Sequence, residues 1–374
     1  MKSILLVTTI YPPQIGGPAT FINHFGRYLC EEGYKVTVVC ISEKKFPEID
    51  QQESFKVYRI TPGFFKLTFH LRKWLILFYA IFNNDKILLN GLEYESYAIC
   101  KVLKKKYILK VVGDKAWEYA RNNSLTTLNI DEFQKENIRN DKVLQKRQEM
   151  QSYIQGASLV YVPSEYLKEI VVNWGKEAEA VVVVHNSVPF QVVNKIEKTS
   201  SGLFRILFVG RITNWKGVEL LLIAVNGMEN VEVIICGDGP ALSVYQELNR
   251  RLGNENVIFK GRVKSSEINE MLAQADILVL ASLYEGLSHT LLESLSFGKP
   301  CIASNIGGNP EVISHGYNGL LFNPYDHNEL KRLILMLVND SNYYNKLADG
   351  AAESSLKFNI VNNFKKVEKL ILES

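Results

Sequence analysis

The stretch YEGLSHTLLESLSFGKP, residues 284–300, sets two carboxylates, Glu285 and Glu293, eight residues apart across a loop-to-helix junction. Upstream, ADILVLAS (275–282) has the continuous apolar character of a short buried strand. Downstream, Leu287 to Phe297 carries apolar residues at helical spacing and stops at Gly298 and Pro300. Glu285 then falls at the carboxyl end of a strand, with Glu293 further along the helix. In an open parallel sheet, ligands bind in the crevice outside those ends. The first free amides of the following helix, here those of Leu287 and Ser288, attract phosphate. Phosphates would repel two flanking carboxylates, so the chemistry open to these groups is to accept hydrogen bonds from sugar hydroxyls. The alternative is two ordinary glutamates bordering a helix.

Arg211 and Lys216 follow RILFVG (205–210) and flank a turn before Gly217, placing two cations at the end of another strand. Cations there neutralise a diphosphate leaving group as charge builds on its bridging oxygen. A pair of surface cations is the alternative. Nearer the start, in TTIYPPQIGGPA (8–19), Gly16 and Gly17 let the backbone approach a ligand closely, or simply make a tight turn. Neither this loop nor GDGPAL (237–242) completes G-x-G-x-x-G, which counts against NAD. No D-x-D occurs, so the carboxylate pair that would hold a divalent ion is missing. No metal or cofactor is expected, and Arg211 with Lys216 supplies the charge instead.

The elements that must position these residues alternate along the chain. In the front half, strands are expected at Ser3–Thr8, Lys35–Ile41, Lys86–Asn90, Tyr107–Val112, Leu159–Val162 and Val181–Val184. Helices are expected at Thr20–Glu32, around Leu71–Phe82, and at Ser96–Leu103 and Glu165–Trp174, with a polar loop and a long exposed helix over 120–155. Residues 186–202 break into Pro, Asn, Lys, Thr and Ser, which marks a linker. The same grammar then restarts: strands at Phe204–Val209, Val231–Cys236, Val257–Phe259 and Pro300–Ala303, and helices at Gly217–Ala224, Ala241–Leu252, Ser266–Ala273 and Asn309–Ile313. Such alternation means right-handed crossovers and parallel sheets covered on both faces. A chain of 374 residues also exceeds the usual single-core size.

Composition narrows the class. Hydrophobic content of 47% with 22% charge is that of a globular protein, and a net charge of only +3 argues against a nucleic-acid binder. Residues 1–190 hold 25 Lys/Arg and 20 Asp/Glu, net +5, leaving net −2 for the rest. A basic front half suits an anionic membrane surface, a phosphorylated acceptor or an ordinary solvated face. The five cysteines show no metal spacing and read as reduced core residues. The opening ILLVTTI reads as a buried first strand, not a signal peptide. The longest apolar run, Trp74–Phe82, is too short to span a bilayer. A packed core helix is the expectation for it, and a helix lying on a membrane the alternative.

Six motifs, in order, resemble the retaining family 4 glycosyltransferases of the group 1 type, over nearly the whole chain. They are GGPATFINHF (16–25), LFVGRITNWKG (207–217), IICGDGP (234–240), FKGRV (259–263), the E-x7-E stretch, and SNIGGNPEVISHGYNGLLF (304–322). The resemblance implies a GT-B fold: two Rossmann-like doubly wound α/β domains facing each other across a cleft. On this reading residues 1–190 form an acceptor-side domain and 203–355 a nucleotide-sugar domain. A final segment, 356–374, would cross back as a helix.

The resemblance also assigns roles. Arg211 and Lys216 would grip the diphosphate, with Gly210 beside them and Gly16 and Gly17 approaching the donor. Glu285 would lie nearest the transferred sugar, Glu293 would accept from the ribose hydroxyls, and Arg262 and Val263 would hold the base. Many members carry a His-Gly pair after the strand equivalent to YILKVV, where this chain has Gly113 and Asp114. Asp114 would take that polar role or contact the acceptor; capping the helix that starts at AWEYA is the other reading.

The expected activity is therefore retaining, metal-independent glycosyl transfer of the hexosyltransferase type. The donor would be a UDP- or GDP-sugar before an ADP-sugar. The acceptor would be a glycan or lipid-linked molecule in surface polysaccharide or glycoconjugate synthesis. A sugar-nucleotide epimerase of the same architecture and a non-catalytic sugar-nucleotide-binding protein are the rivals. The expected location is the cytoplasm, with peripheral contact at the inner membrane face left open.

Overall fold

The structure is a computed structural model that describes residues 2–14, 16–62, 66–189 and 202–374. Most of the linker expected at 186–202 lies outside the described residues.

Two units emerge. The first comprises residues 1–116, 138–184 and 361–374; the second comprises 117–137 and 185–360. In the first, seven parallel strands, β1 (Ser3–Thr8), β2 (Lys35–Ile41), β3 (Lys56–Ile60), β4 (Lys86–Asn90), β5 (Ile108–Lys110), β6 (Leu159–Val162) and β7 (Val181–Val183), lie in the order β3-β2-β1-β4-β5-β6-β7. In the second, β8 (Phe204–Val209), β9 (Val231–Cys236), β10 (Val257–Gly261), β11 (Ile277–Leu280), β12 (Cys301–Ser304) and β13 (Gly319–Phe322) lie in the order β10-β9-β8-β11-β12-β13. Central strands are buried on both faces, which is why β1 and β11 read as unbroken apolar runs. In each sheet the strand order reverses beside its first strand, between β1 and β4 and between β8 and β11. The crevice at such a reversal is where doubly wound sheets bind ligands.

Several elements differ from the expectation. KVYRI forms the edge strand β3, although its two cations hide it from a hydrophobic reading; Arg59 is buried there and paired with Asp50 at 2.8 Å. Residues 120–155 hold more than a loop and one helix. A helix at Lys115–Asn122 is followed by a short one at Ile130–Lys135 with an Asn129/Glu132 capping box, and then by Asp141–Gln155. The part from Trp117 to Asn137 belongs to the second unit, not to the front-half domain that contains it in sequence. The helix Ile360–Glu373 groups with the first unit from residue 361, and Tyr28 and Tyr34 both donate to its Glu368.

The helix expected around Leu71–Phe82 runs over Lys66–Phe82 and is no packed core helix. Leu77, Ala80 and Ile81 are buried, while Trp74, Leu75, Phe78 and Phe82 face water. Cys40, Cys100, Cys236 and Cys301 are buried thiols.

Candidate functional site

At the reversal of the six-stranded sheet, the loops after β8 and β11 are pressed together by a glycine. Gly217 has φ +70°, and a Cβ there would stand 1.9 Å from the Ala281 carbonyl oxygen. Only glycine allows both the conformation and the approach. The loop is tied again where the Leu283 amide donates to the Trp215 carbonyl at 2.7 Å. Between these ties Lys216 Nζ donates to Glu285 Oε1 at 2.6 Å, and the buried Ser282 hydroxyl donates to the same oxygen at 2.7 Å. The structure thus brings together two residues 69 apart in sequence that sequence reasoning had assigned to one site.

The neighbouring loops share this construction. A Cβ on Gly307 would meet the Glu285 carbonyl oxygen at 2.2 Å, and one on Gly237 the Gly210 carbonyl oxygen at 1.8 Å. The Ser304 hydroxyl at the end of β12 donates to the Ser282 carbonyl at 2.6 Å, and Asn309 Nδ2 to the Ser304 carbonyl at 3.0 Å. Four strand ends therefore converge as a close-packed backbone floor, with Lys216 and Glu285 on it.

The other expected residues take these places. Arg211 stands exposed at the head of the β8 loop, next to Gly210. Leu287 and Ser288 lead into the helix His289–Ser296; Ser288 caps it through Oγ, accepting from the Leu291 amide. Among the described residues, the Leu287 and Ser288 amides meet no protein acceptor. Glu293 lies in this helix, where burial pushes its carboxyl up to about 7. Its side chain keeps an opening to solvent, and no protein hydrogen bond to its carboxylate occurs among the described residues. Val263 is buried after β10, and Arg262 reaches an exposed 3.5 Å contact with Asp238 at the loop after β9.

Gly16, Gly17 and Asp114 belong to the first unit. Gly16 and Gly17 open the helix Gly17–Glu31 directly after the β1 loop. Asp114 is fully buried, accepts from the Ala116 amide at 2.8 Å and faces the charge of Arg147. The capping alternative is what this geometry displays.

Other residues near these crevices escaped the sequence reading. Trp117, fully buried, packs edge-on against Trp215 at 5.5 Å and Tyr284 at 5.2 Å, the residues that immediately precede Lys216 and Glu285. It braces both halves of the pair from 98 and 167 residues away in sequence, which no local pattern could announce. Thr213, in the β8 loop, buries a hydroxyl that is unpartnered among the described residues. In the first unit, Lys110 at the end of β5 is buried with its Nζ 3.8 Å from the Phe21 ring centre, and burial pulls its ammonium down to about 7. A lysine inside an apolar strand was the available signal.

With this geometry in place, comparison with known proteins supplies the class. Residues 191–354 match the family model of the glycosyl transferases group 1, so the chain carries a domain of that family and is a glycosyltransferase. An uncharacterized glycosyltransferase of Methanocaldococcus jannaschii is 24% identical, covering 98% of this chain and 96% of its own. The crystal structure of Anabaena HepE in complex with UDP and glucose superposes with a TM-score of 0.79 at 19% identity over 100% of both chains. Sucrose-phosphate synthase from Thermosynechococcus elongatus gives 0.80 at 17% identity, over 100% of this chain and 99% of that one. The fold is GT-B.

Proposed function

We propose that the chain is a retaining, metal-independent glycosyltransferase that moves a hexosyl group from a UDP- or GDP-sugar to a glycan or lipid-linked acceptor. The carrying observation is the Lys216–Glu285 contact at the reversal of the second sheet, a cation and a hydroxyl acceptor side by side. The Leu287 and Ser288 amides and Arg211 would take the diphosphate together with Lys216. As the bond from the anomeric carbon to the diphosphate oxygen breaks, these groups stabilise the charge that develops there. The acceptor hydroxyl attacks from the same face and passes its proton to the departing phosphate oxygen, so configuration is retained without a covalent intermediate. Glu285, steadied by Ser282, accepts from a hydroxyl of the transferred sugar, and Glu293 from the ribose. Arg262 and Val263 would contact the base.

The setting this reading supports is cytoplasmic synthesis of a surface polysaccharide or glycoconjugate. A thermal-shift screen against UDP-, GDP- and ADP-sugars tests the donor: at 100 times its dissociation constant a ligand stabilises by about 2.7 kcal/mol. Product analysis with donor alone separates the rivals, since an epimerase converts the donor without any acceptor. A donor that stabilises the protein but never turns over with any acceptor supplied would leave only a binding protein.

A further inference from the structure

The helix Lys66–Phe82 carries an arc of large apolar side chains that nothing among the described residues covers. Leu67, Leu71, Trp74, Leu75, Phe78 and Phe82 are between 37% and 80% exposed. At 100° per residue they span one continuous stripe of about 100°, with no charged residue in it. The stacked rings of Phe78 and Phe82, centres 6.3 Å apart, continue it to the end of the helix. A helix facing water ordinarily shows polar residues on this side. Solvent is therefore not the medium this face fits.

The charges beside the stripe specify what is. The sequence from 66 to 106 holds 8 Lys/Arg and 3 Asp/Glu, net +5, which equals the whole surplus of residues 1–190. Two of those three acids are engaged by lysines, Glu95 by Lys73 and Glu93 by Lys115, and Asp85 accepts from the Ser3 amide and hydroxyl. On one flank Lys105 Nζ donates to the carbonyls of Ile81, Phe82 and Asn84. This pins the helix Glu93–Leu103, with its exposed Lys101 and with Lys104 and Lys106 just past its end, to the end of the stripe. On the other flank a cavity of about 580 Å³ is lined by Arg72 and Ile76 of the same helix and by Lys45 and Lys56. Apolar rings and aliphatic chains bordered on both sides by ammonium and guanidinium groups match the boundary of an anionic bilayer, acyl chains below and phosphates above. We propose that this helix lies in the plane of an anionic lipid surface, with the stripe immersed and the flanking cations on lipid phosphates. No helix among the described residues is long and apolar enough to cross a membrane. The proposal goes beyond glycosyl transfer and does not rest on it.

The test uses the full chain with phosphatidylcholine vesicles and with the same vesicles containing phosphatidylglycerol, in flotation at low and high salt. Trp74 serves as reporter, because the other tryptophans, Trp117, Trp174 and Trp215, are buried. Binding to phosphatidylglycerol vesicles, reversed by salt and accompanied by a blue shift of tryptophan emission, is expected. L71S, L75S and F78S should each weaken it on the order of tenfold. K101E/K104E/K106E should abolish the preference for phosphatidylglycerol. All six positions are exposed, and an unchanged thermal transition confirms that each variant is folded. The proposal fails if no vesicle binds, if binding leaves Trp74 emission unchanged, or if the serine variants bind as well as the parent chain. It fails equally if those variants instead convert a dimer to a monomer in sedimentation velocity, which would make the stripe a contact between copies.

Discussion

At the reversal of the six-stranded sheet, Gly217 lays the β8 loop on the β11 loop, and Lys216 meets Glu285 beside it. At the reversal of the seven-stranded sheet, Gly91 does the same for the loops after β1 and β4: a Cβ there would stand 2.3 Å from the Thr9 amide nitrogen. There the charges are arranged differently. The ion pair, Glu93 with a half-exposed Lys115, lies one strand further along, between the ends of β4 and β5. The inward-facing cation is Lys110, lodged against an aromatic ring. One backbone device serves both crevices, so architecture alone would not make a diphosphate site; on the proposed reading the loop side chains distinguish the two.

The largest expected effect follows from that contrast. Lys216→Ala should lower turnover on the order of 10²–10³-fold, as loss of one transition-state charge partner does, while Lys115→Ala in the other unit changes initial rates little. Equal losses in both would erase the distinction between the crevices.

Next comes the titration of Glu293. On the proposed reading ribose hydroxyls would donate to the ionised carboxylate of Glu293, and burial holds this group at about 7 in the free protein. Donor affinity measured calorimetrically should therefore rise about tenfold from about pH 6 to about pH 8, following the ionised fraction. Glu293→Gln should bind more weakly and without that slope. The sign for stability is opposite. A raised carboxyl pKa favours the folded state fully below the unfolded value, and that contribution is lost as pH climbs from about 4.5 through about 7.

The smallest effect concerns Lys110. Its ammonium is pulled from 10.5 to about 7, so the folded chain binds fewer protons than the unfolded one between those values, and stability from this group rises with pH across that window. Lys110→Met should flatten the rise and lift the melting temperature near pH 7 by about a few degrees. A lower melting temperature with an unchanged slope would mean that the lysine is charged and paired.

The site was legible where chemistry and periodicity coincide. Glu285, Lys216 and Gly217 sit at strand ends that apolar runs mark out, so their residue types and their place in a parallel sheet could be read together. The fold was legible for the same reason in its buried strands, and not in β3, where Lys56 and Arg59 conceal an edge. Asp114 had two readings because an aspartate before a helix suits either a ligand or a cap, and only the fold could show the Ala116 hydrogen bond that makes the cap. Trp117 was invisible because its partners are tertiary. The helix Lys66–Phe82 misled for a different reason: apolar residues on both faces read as burial, and the sequence does not say which face the protein leaves uncovered.

The most direct test is a crystal structure with UDP or GDP bound. The account predicts diphosphate oxygens within hydrogen-bond distance of Lys216 Nζ and of the Leu287 and Ser288 amides, with a ribose hydroxyl on Glu293. A nucleotide seated elsewhere, with the Lys216–Glu285 pair still closed and untouched, would contradict it.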